Sequence, residues 1–180
     1  MPPRPSLRCP LGPAFGTGGG LAFAGRWLAA SFNRPAHTVV DHFTYLMASD
    51  GDLMEGVSAE AASLAGDLRL GRLIVLYDSN RVTLSATTDI TFREDVGARF
   101  AAYGWNVQHV DGLDVDAVDA ALTAARVDED RPSLIIASTH IGFGSPNKQD
   151  TYHAHGEPLG VDEVKLTKQA YGWPRDATFL

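Results

Sequence analysis

Apolar positions along the chain follow two alternating patterns. Short continuous apolar runs, typical of strands buried on both faces of a sheet, are separated by segments in which apolar residues recur at helical spacing. The strand-like runs lie within residues 37–49, 72–78, 105–110 and 132–139, and the helical patterns lie within 21–32, 53–68, 92–104, 111–127 and 161–173. Strands that alternate with helices predict an α/β fold, with a parallel sheet covered by helices on both faces.

The first twenty residues differ from the rest, because proline and glycine dominate them. Five prolines among the first thirteen residues and three consecutive glycines, Gly18 to Gly20, disfavour regular structure. We therefore expect an irregular N-terminal segment over 1–20 and one domain over 21–180. In the first predicted helix, the inward-facing positions are expected to be Leu21, Trp27, Leu28 and Phe32.

Charge and cysteine content narrow the class of protein. The formal net charge is −7, which argues against nucleic acid as the main partner because phosphate contacts need a basic face. The single cysteine, Cys9, allows no disulfide framework and fits a reducing, cytoplasmic location. We expect neither a signal peptide nor a membrane partner, since no stretch approaches the ~20 apolar residues of a membrane span.

Polar segments, two of them containing glycine, follow three of the predicted strands. They are SDGDLMEG at 49–56, Asp78-Ser79-Asn80, and the loop after residue 139. Ligands of parallel sheets bind outside the carboxyl ends of the strands, where these segments are expected to meet. Taken alone, an Asp-Gly pair or an asparagine after a strand is more often a turn. Taken together, the segments have the parts of a site for a cation and a diphosphate.

The residues expected at this edge offer the oxygen ligands that a hard divalent cation prefers. Magnesium prefers oxygen ligands and usually keeps substrate phosphate oxygens among them. Asp50 offers a charged oxygen, Asn80 an amide oxygen and Val82 a backbone carbonyl. Gly51 allows a phosphate to approach the backbone closely and offers its N–H group.

Other site types fit less well. Glu55 occupies the position where a calcium-binding EF-hand loop requires glycine, and GTGGGLAFAG follows no strand and lacks the spacing of a dinucleotide fingerprint. The segment 56–60 lacks the second glycine of a nucleophile elbow. His153 and His155 have a metal-pair spacing, but no strong third ligand lies nearby in the sequence.

Several long motifs resemble the diphosphate-binding domain of transketolases. They are ASDGDLMEGVSAEAASLAGDLRLGRLIVLYDSNRVTL, RFAAYGWNVQHVDG, RPSLIIASTHIGFGSPNK and HAHGEPLG. The resemblance covers roughly residues 21 to 176, and it implies a fold of the thiamine diphosphate-binding type. An Asp-Gly followed about thirty residues later by Asn is shared by thiamine diphosphate enzymes generally, whereas GFGSPNK and HGEPLG narrow the resemblance to transketolase.

The resemblance implies a role for each matching residue. It makes Asp50, Asn80 and the Val82 carbonyl ligands of Mg²⁺ or Ca²⁺, and Gly51 a backbone contact to the diphosphate of thiamine diphosphate. Residues implied to lie near the cofactor are Glu55 at a subunit contact, Leu84 as an apolar contact, His155 at the substrate's reacting end, the loop 141–148, and Leu11. His155 is also the implied catalytic residue, polarising or protonating sugar oxygens.

The implied activity is transfer of a two-carbon ketol unit from a ketose to an aldose, with sugars or sugar phosphates as substrates. The resemblance weakens before residue 21, where Cys9 replaces a family glycine, and the family's pyrimidine-binding domain has no counterpart before Leu180. We therefore expect a chain truncated at both ends, acting as a homodimer or with a complementary chain that supplies the pyrimidine-binding domain. The alternatives are a binding or relic module without turnover of its own, and a small catalyst that needs no cofactor.

Overall fold

A four-stranded parallel sheet forms the centre of the computed structural model, which describes residues 12–178. The strands are β1 (Thr44–Ser49), β2 (Leu73–Ser79), β3 (Asn106–Asp111) and β4 (Ser133–Ser138), in the order β1-β2-β4-β3. All three pairings are parallel. The predicted parallel α/β fold is therefore confirmed, and every predicted strand is present.

Helices connect the strands. They are α1 (Pro13–Phe32), α2 (Asp50–Met54), α3 (Gly56–Asp67), α4 (Thr88–Thr91), α5 (Val96–Ala102), α6 (Val115–Val127) and α7 (Val161–Ala170), with a 3-10 turn at Tyr152–Ala154. The single helix predicted over 53–68 is two helices, because Glu55 has an extended backbone (φ −73°, ψ 132°). This break allows α2 to begin directly at the end of β1.

The helices cover the two faces of the sheet unequally. On one face, the odd-numbered residues of β2 pack with buried side chains of α1, α3 and α5, including Phe15, Ala62 and Phe100. On the other face, Ile74 and Ile135 pack mainly against α6. Tyr45 and Met47 of β1 are on this second face and remain exposed (55% and 71%). Burial on both faces explains why β2 and β4 are continuous apolar runs.

The start of α1 corrects the expectation of an irregular segment over 1–20. Residues 13–20 are helical, and Pro13 occupies the first helical position, where its missing N–H has no partner to lose. Phe15 is 1% exposed, with its ring centroid 5.8 Å from that of Phe100 and 6.0 Å from that of Trp105. Core packing therefore outweighs the weak helix propensity of the glycines. Residues 1–11 lie outside the part that the structure describes, and the division into 1–20 and 21–180 stays a prediction.

The inward face of α1 also differs from the prediction. Leu21, Trp27 and Phe32 are 57%, 59% and 54% exposed, and Leu28 is only half-buried. The buried positions are instead Phe15, Gly18 and Ala22. A Cβ at Gly18 would lie 3.3 Å from Cδ2 of Leu46, so the absent side chain allows α1 to lie close to β1. Small residues, which carry little hydropathy signal, thus define the contact face.

Within residues 12–178, no helix is both long enough and apolar enough to cross a membrane.

Candidate functional site

The carboxyl ends of β1 and β2 bring the predicted cation ligands to one edge of the sheet. Ser49 and Asp78 are partners in the register of the two strands, and Asp50 follows as the first residue of α2. Asp52 fixes this turn, because its Oδ2 accepts the backbone N–H and the hydroxyl of Ser49, each at 2.8 Å. Its other oxygen accepts the N–H of Gly12 at 3.0 Å. Asp52 therefore ties the start of α1 to the end of β1.

Asp50 is a carboxylate almost completely removed from water, at 3% exposure. The hydroxyl of Tyr77 donates to its Oδ1 at 2.5 Å, and the N–H of Arg81 donates to its Oδ2 at 3.0 Å. Burial raises the pKa of Asp50, and the nearby Asp78 raises it further, while hydrogen bonds from Tyr77 and from the backbones of Arg81 and Asn80 oppose that rise. A bound cation would favour the charged form that burial disfavours.

Asn80 lies beside Asp50 with its amide held at both ends. Its Nδ2 donates to Asp78 Oδ2 at 3.2 Å, and its Oδ1 accepts the N–H of Val82 at 3.0 Å. An amide oxygen has two lone pairs, so Oδ1 retains one for another partner. Arg81 has a left-handed backbone (φ 61°), and its N–H faces Asp50. Val82 is buried and bridges to Thr87 across the hairpin that follows.

His155 and Asn80 line one cavity at this edge. Its other walls include Asp78, Leu76 of β2 and Ile141 of the loop after β4. Leu84 is 67% exposed. It packs beside Gly156, the residue after His155, because a Cβ added to Gly156 would lie 2.9 Å from Cδ1 of Leu84. The structure therefore brings Asp50, Asn80, Leu84 and His155 to the same end of the sheet.

The glycine-rich loop 141–148 is braced against α7. Glu163 of α7 is 8% exposed. Its Oε1 accepts hydrogen bonds from the Ser145 hydroxyl and from the N–H of Asn147, the latter at 2.8 Å. Its Oε2 accepts a hydrogen bond from Asn147 Nδ2 at 2.9 Å. These hydrogen bonds, led by that of Ser145, lower the pKa of Glu163. A charged Glu163 thus holds the loop that carries Ile141 into the wall of the cavity.

The remaining predicted residues have different surroundings. Gly51 is half-buried in the first turn of α2. Glu55 is exposed. It packs against the start of α1, since a Cβ added at Gly12 would lie 2.6 Å from the Cβ of Glu55. Leu11 lies outside the described residues. Among residues 12–178, no group of three or more His, Cys, Asp or Glu side chains has metal-binding geometry, so a cation here would depend on amide, carbonyl and ligand oxygens as well.

Sequence reasoning missed Tyr77 and Arg81 as parts of the site. A weak signal exists for Tyr77, because a buried tyrosine hydroxyl needs a hydrogen-bond partner and this one is two residues from the end of a buried strand. No sequence signal indicates that the N–H of Arg81 faces Asp50, because that contact depends on the backbone conformation of the turn after β2. The sequence analysis covered the segment that contains Asp52, but only the contacts of Asp52 to Ser49 and Gly12 reveal its structural role.

Known proteins match the chain in sequence over almost its full length. The sequence model described as "Transketolase, thiamine diphosphate binding domain" matches residues 7–180. Transketolase from Halalkalibacterium halodurans is 54% identical over 171 residues, which is 94% of this chain and 26% of the relative. Transketolase from Bacillus subtilis is 52% identical with the same coverage. The chain thus spans about a quarter of the length of these relatives.

Solved structures agree in fold. A transketolase from Pichia stipitis, solved in complex with sedoheptulose-7-phosphate, superimposes with a TM-score of 0.91 at 41% identity, over 95% of this chain and 25% of that one. Transketolase from Leishmania mexicana gives a TM-score of 0.89 at 41% identity, over 93% of this chain and 25% of that one. The chain belongs to the transketolase family and corresponds to that family's thiamine diphosphate-binding domain.

Proposed function

We propose that this chain supplies the half of a thiamine diphosphate site that binds the metal and the diphosphate, in an enzyme that transfers a two-carbon ketol unit from a ketose to an aldose. The observation that carries the proposal is the placement of Asp50: a buried carboxylate at the carboxyl edge of the sheet, adjacent to the Asn80 turn. Membership of the transketolase family supports the reaction class.

The residues at this edge fit a hard divalent cation. Asp50 would supply a charged oxygen, Asn80 Oδ1 an amide oxygen and Val82 its backbone carbonyl, with Mg²⁺ or Ca²⁺ completing its coordination through diphosphate oxygens. The Asn80 amide supports this assignment because its NH₂ group donates to Asp78, and its Oδ1, which accepts the N–H of Val82, keeps a second lone pair for a cation. We assign to Gly51 a backbone contact to the diphosphate, since first-turn N–H groups have no partner within the helix.

The remaining side chains would act on the reacting end. When bound, thiamine diphosphate supplies an electron sink for carbanion chemistry, and the protein supplies orientation and electrostatics. His155 would hold or donate a proton at a sugar oxygen. Leu84, beside the His155 segment, would give an apolar contact to the cofactor, with Leu11 and Glu55 as further contacts, Glu55 at a subunit boundary. Sugars and sugar phosphates are the proposed substrates, in line with the sedoheptulose-7-phosphate complex of the Pichia stipitis relative.

We further propose that two copies of this chain associate through α1 and α3. An apolar groove runs between the two helices and is lined by Gly16, Gly19, Gly20, Phe23, Ala61, Leu64, Ala65, Leu68 and Leu70. Phe23 and Leu64 at its rim are 51% and 58% exposed. Sedimentation should show at least a dimer at micromolar concentration, and Leu64→Glu should shift it to monomer. A strict monomer would contradict this arrangement and favour a complementary chain that carries a pyrimidine-binding domain.

Calorimetric titration of the purified chain with thiamine diphosphate and Mg²⁺ tests the metal and diphosphate assignment. Saturable binding should require Mg²⁺ and should be lost in Asp50→Asn and Asn80→Ala. The matched control is Asp119→Ala, which removes an exposed carboxylate of α6. Equal binding by all three variants would overturn the assignment.

A ketol-transfer assay, with and without thiamine diphosphate, tests the reaction. Activity should depend on the cofactor, either for the chain alone or after addition of a chain that carries the pyrimidine-binding domain. Binding without turnover in either case would support the alternative of a binding module. Full activity without cofactor would support the alternative of a cofactor-independent catalyst.

A further inference from the structure

Tyr77 joins the hydrophobic core to the proposed cation site. It pairs with Ala48 in the register of β1 and β2, and its side chain lies on the core face of the sheet, with Leu73 and Val75. The residue is 3% exposed, so packing restrains its ring. Only two torsions connect the ring of a tyrosine to the backbone. A packed ring therefore holds the hydroxyl oxygen at a nearly fixed point. That point lies 2.5 Å from Asp50 Oδ1.

The carboxylate of Asp50 is held at both oxygens by donors from two different parts of the chain. Tyr77, inside β2, donates to Oδ1, and the Arg81 backbone, in the turn after β2, donates to Oδ2. Two such hydrogen bonds oppose rotation of the carboxylate plane. Each carboxylate oxygen can accept about two hydrogen bonds, so each keeps a lone pair for a cation.

We propose that Tyr77 is a positioning residue for the cation, acting through Asp50. This inference rests on the proposed function, because it takes Asp50 to be the charged ligand. Groups that orient a ligand in this way commonly change metal affinity by about 10–100-fold when they are removed. Tyr77 itself does not contact the cation in this arrangement. Its hydroxyl fixes the direction in which Asp50 presents its lone pairs.

A purely structural role for the hydroxyl makes different predictions. A buried phenol needs some acceptor, and Asp50 would satisfy that need without any consequence for a cation. In that case, removal of the hydroxyl would change the free energy of unfolding but not the Mg²⁺ concentration needed for cofactor binding. The positioning role predicts the reverse: a large change in the Mg²⁺ requirement with native secondary structure retained.

Tyr77→Phe separates the two roles because it removes one oxygen and keeps the ring. Calorimetry at a fixed thiamine diphosphate concentration should show that half-maximal binding needs about 10–100 times more Mg²⁺ than wild type. The matched control is Tyr103→Phe, which removes a hydroxyl from a half-buried ring that packs on Phe100 in the same core layer. The control should bind with the wild-type Mg²⁺ requirement. Circular dichroism and urea unfolding of each variant report the fold independently of binding.

Each outcome decides between the hypotheses. Wild-type Mg²⁺ dependence in Tyr77→Phe overturns the positioning role and leaves the proposed function intact. Absence of Mg²⁺-dependent binding in wild type overturns both. Loss of native circular dichroism in Tyr77→Phe also overturns the positioning role, because a hydroxyl that only orients a ligand is not required for folding. An equal shift in Tyr103→Phe would show that the effect is not specific to Asp50.

Discussion

Phe15→Ala should destabilise the protein strongly, although residue 15 lies in a segment rich in glycine and proline. Phe15 is 1% exposed, and its ring packs against those of Phe100 and Trp105. Replacement of a buried phenylalanine by alanine costs about 3–5 kcal/mol, since it combines lost burial with a residual cavity. For a domain of this size, each kcal/mol lowers the melting temperature by about 2–4 °C, so a decrease of roughly 6–20 °C is expected.

Urea unfolding measures this cost directly. Trp105 is 3% exposed and adjacent to Phe15, so its fluorescence reports on the same part of the core. Phe32→Ala is the matched control, because it makes the same change in the same helix at a side chain that is 54% exposed. We expect the control to cost about 1 kcal/mol or less. Equal decreases in the free energy of unfolding of the two variants, or a decrease below 1 kcal/mol for Phe15→Ala, would refute the conclusion that the first turn of α1 is part of the core.

Three further changes test packing and charge. Gly66→Ala should destabilise by about 1–3 kcal/mol in urea unfolding, because its Cβ would lie 1.9 Å from the backbone oxygen of Tyr103 and the neighbouring backbone would have to move. Gly20→Ala should instead stabilise by about 0.5–1 kcal/mol, since a Cβ there meets nothing within 4 Å and alanine favours the helix; a lower melting temperature would contradict this. Glu163→Gln should lower stability at pH 7 but not in acid. Because hydrogen bonds lower the folded pKa of Glu163 below its ordinary 4.5, its stabilisation is complete above pH 4.5 and is lost as the pH falls through the folded value. Thermal melts at pH 7 and pH 3.5 should therefore show a difference from wild type that shrinks in acid, and a constant difference would be inconsistent with a charge effect.

The sequence predicts the strands well because burial on both faces leaves a direct trace in composition. Residues 73–77 and 134–137 are apolar, and seven of these nine residues are 3% exposed or less, namely Leu73, Ile74, Val75, Tyr77, Leu134, Ile135 and Ala137. The order β1-β2-β4-β3 leaves no such trace. It depends on which helix crosses which face, and local patterns do not encode that choice.

The face of α1 was predicted wrongly for a physical reason. Hydropathy patterns identify large apolar residues, so they selected Leu21 and Trp27. The contact instead depends on close approach, which Gly18 and Ala22 permit because they lack bulk. When a helix lies close to a sheet, the buried positions are small, and large apolar residues can remain at the rim, as Phe23 does beside the groove.

The candidate site shows a similar division. Asp50 and Asn80 were predicted because polar residues at the carboxyl ends of parallel strands meet at one edge, and their adjacency in the structure follows that rule. The supporting contacts were not predictable in the same way. The Tyr77 hydroxyl reaches Asp50 along the sheet, and Arg81, in the turn after β2, reaches it through its backbone N–H. Side-chain identity therefore indicates candidate ligands, while their orientation depends on backbone geometry and core packing.

The burial of Asp50 connects stability with the proposed function. A carboxylate at 3% exposure in a chain of net charge −7 is unfavourable by desolvation, and the neighbouring Asp78 adds repulsion, as the raised pKa of Asp50 reflects. The hydrogen bonds from Tyr77 and from the backbones of Arg81 and Asn80 offset only part of that cost. A divalent cation would offset more, and a ligand that binds only the folded chain adds about 2.7 kcal/mol of stability at one hundred times its Kd. A site built around a buried, partly compensated carboxylate would therefore be less stable when empty, and under the proposed function a bound cation would relieve that deficit.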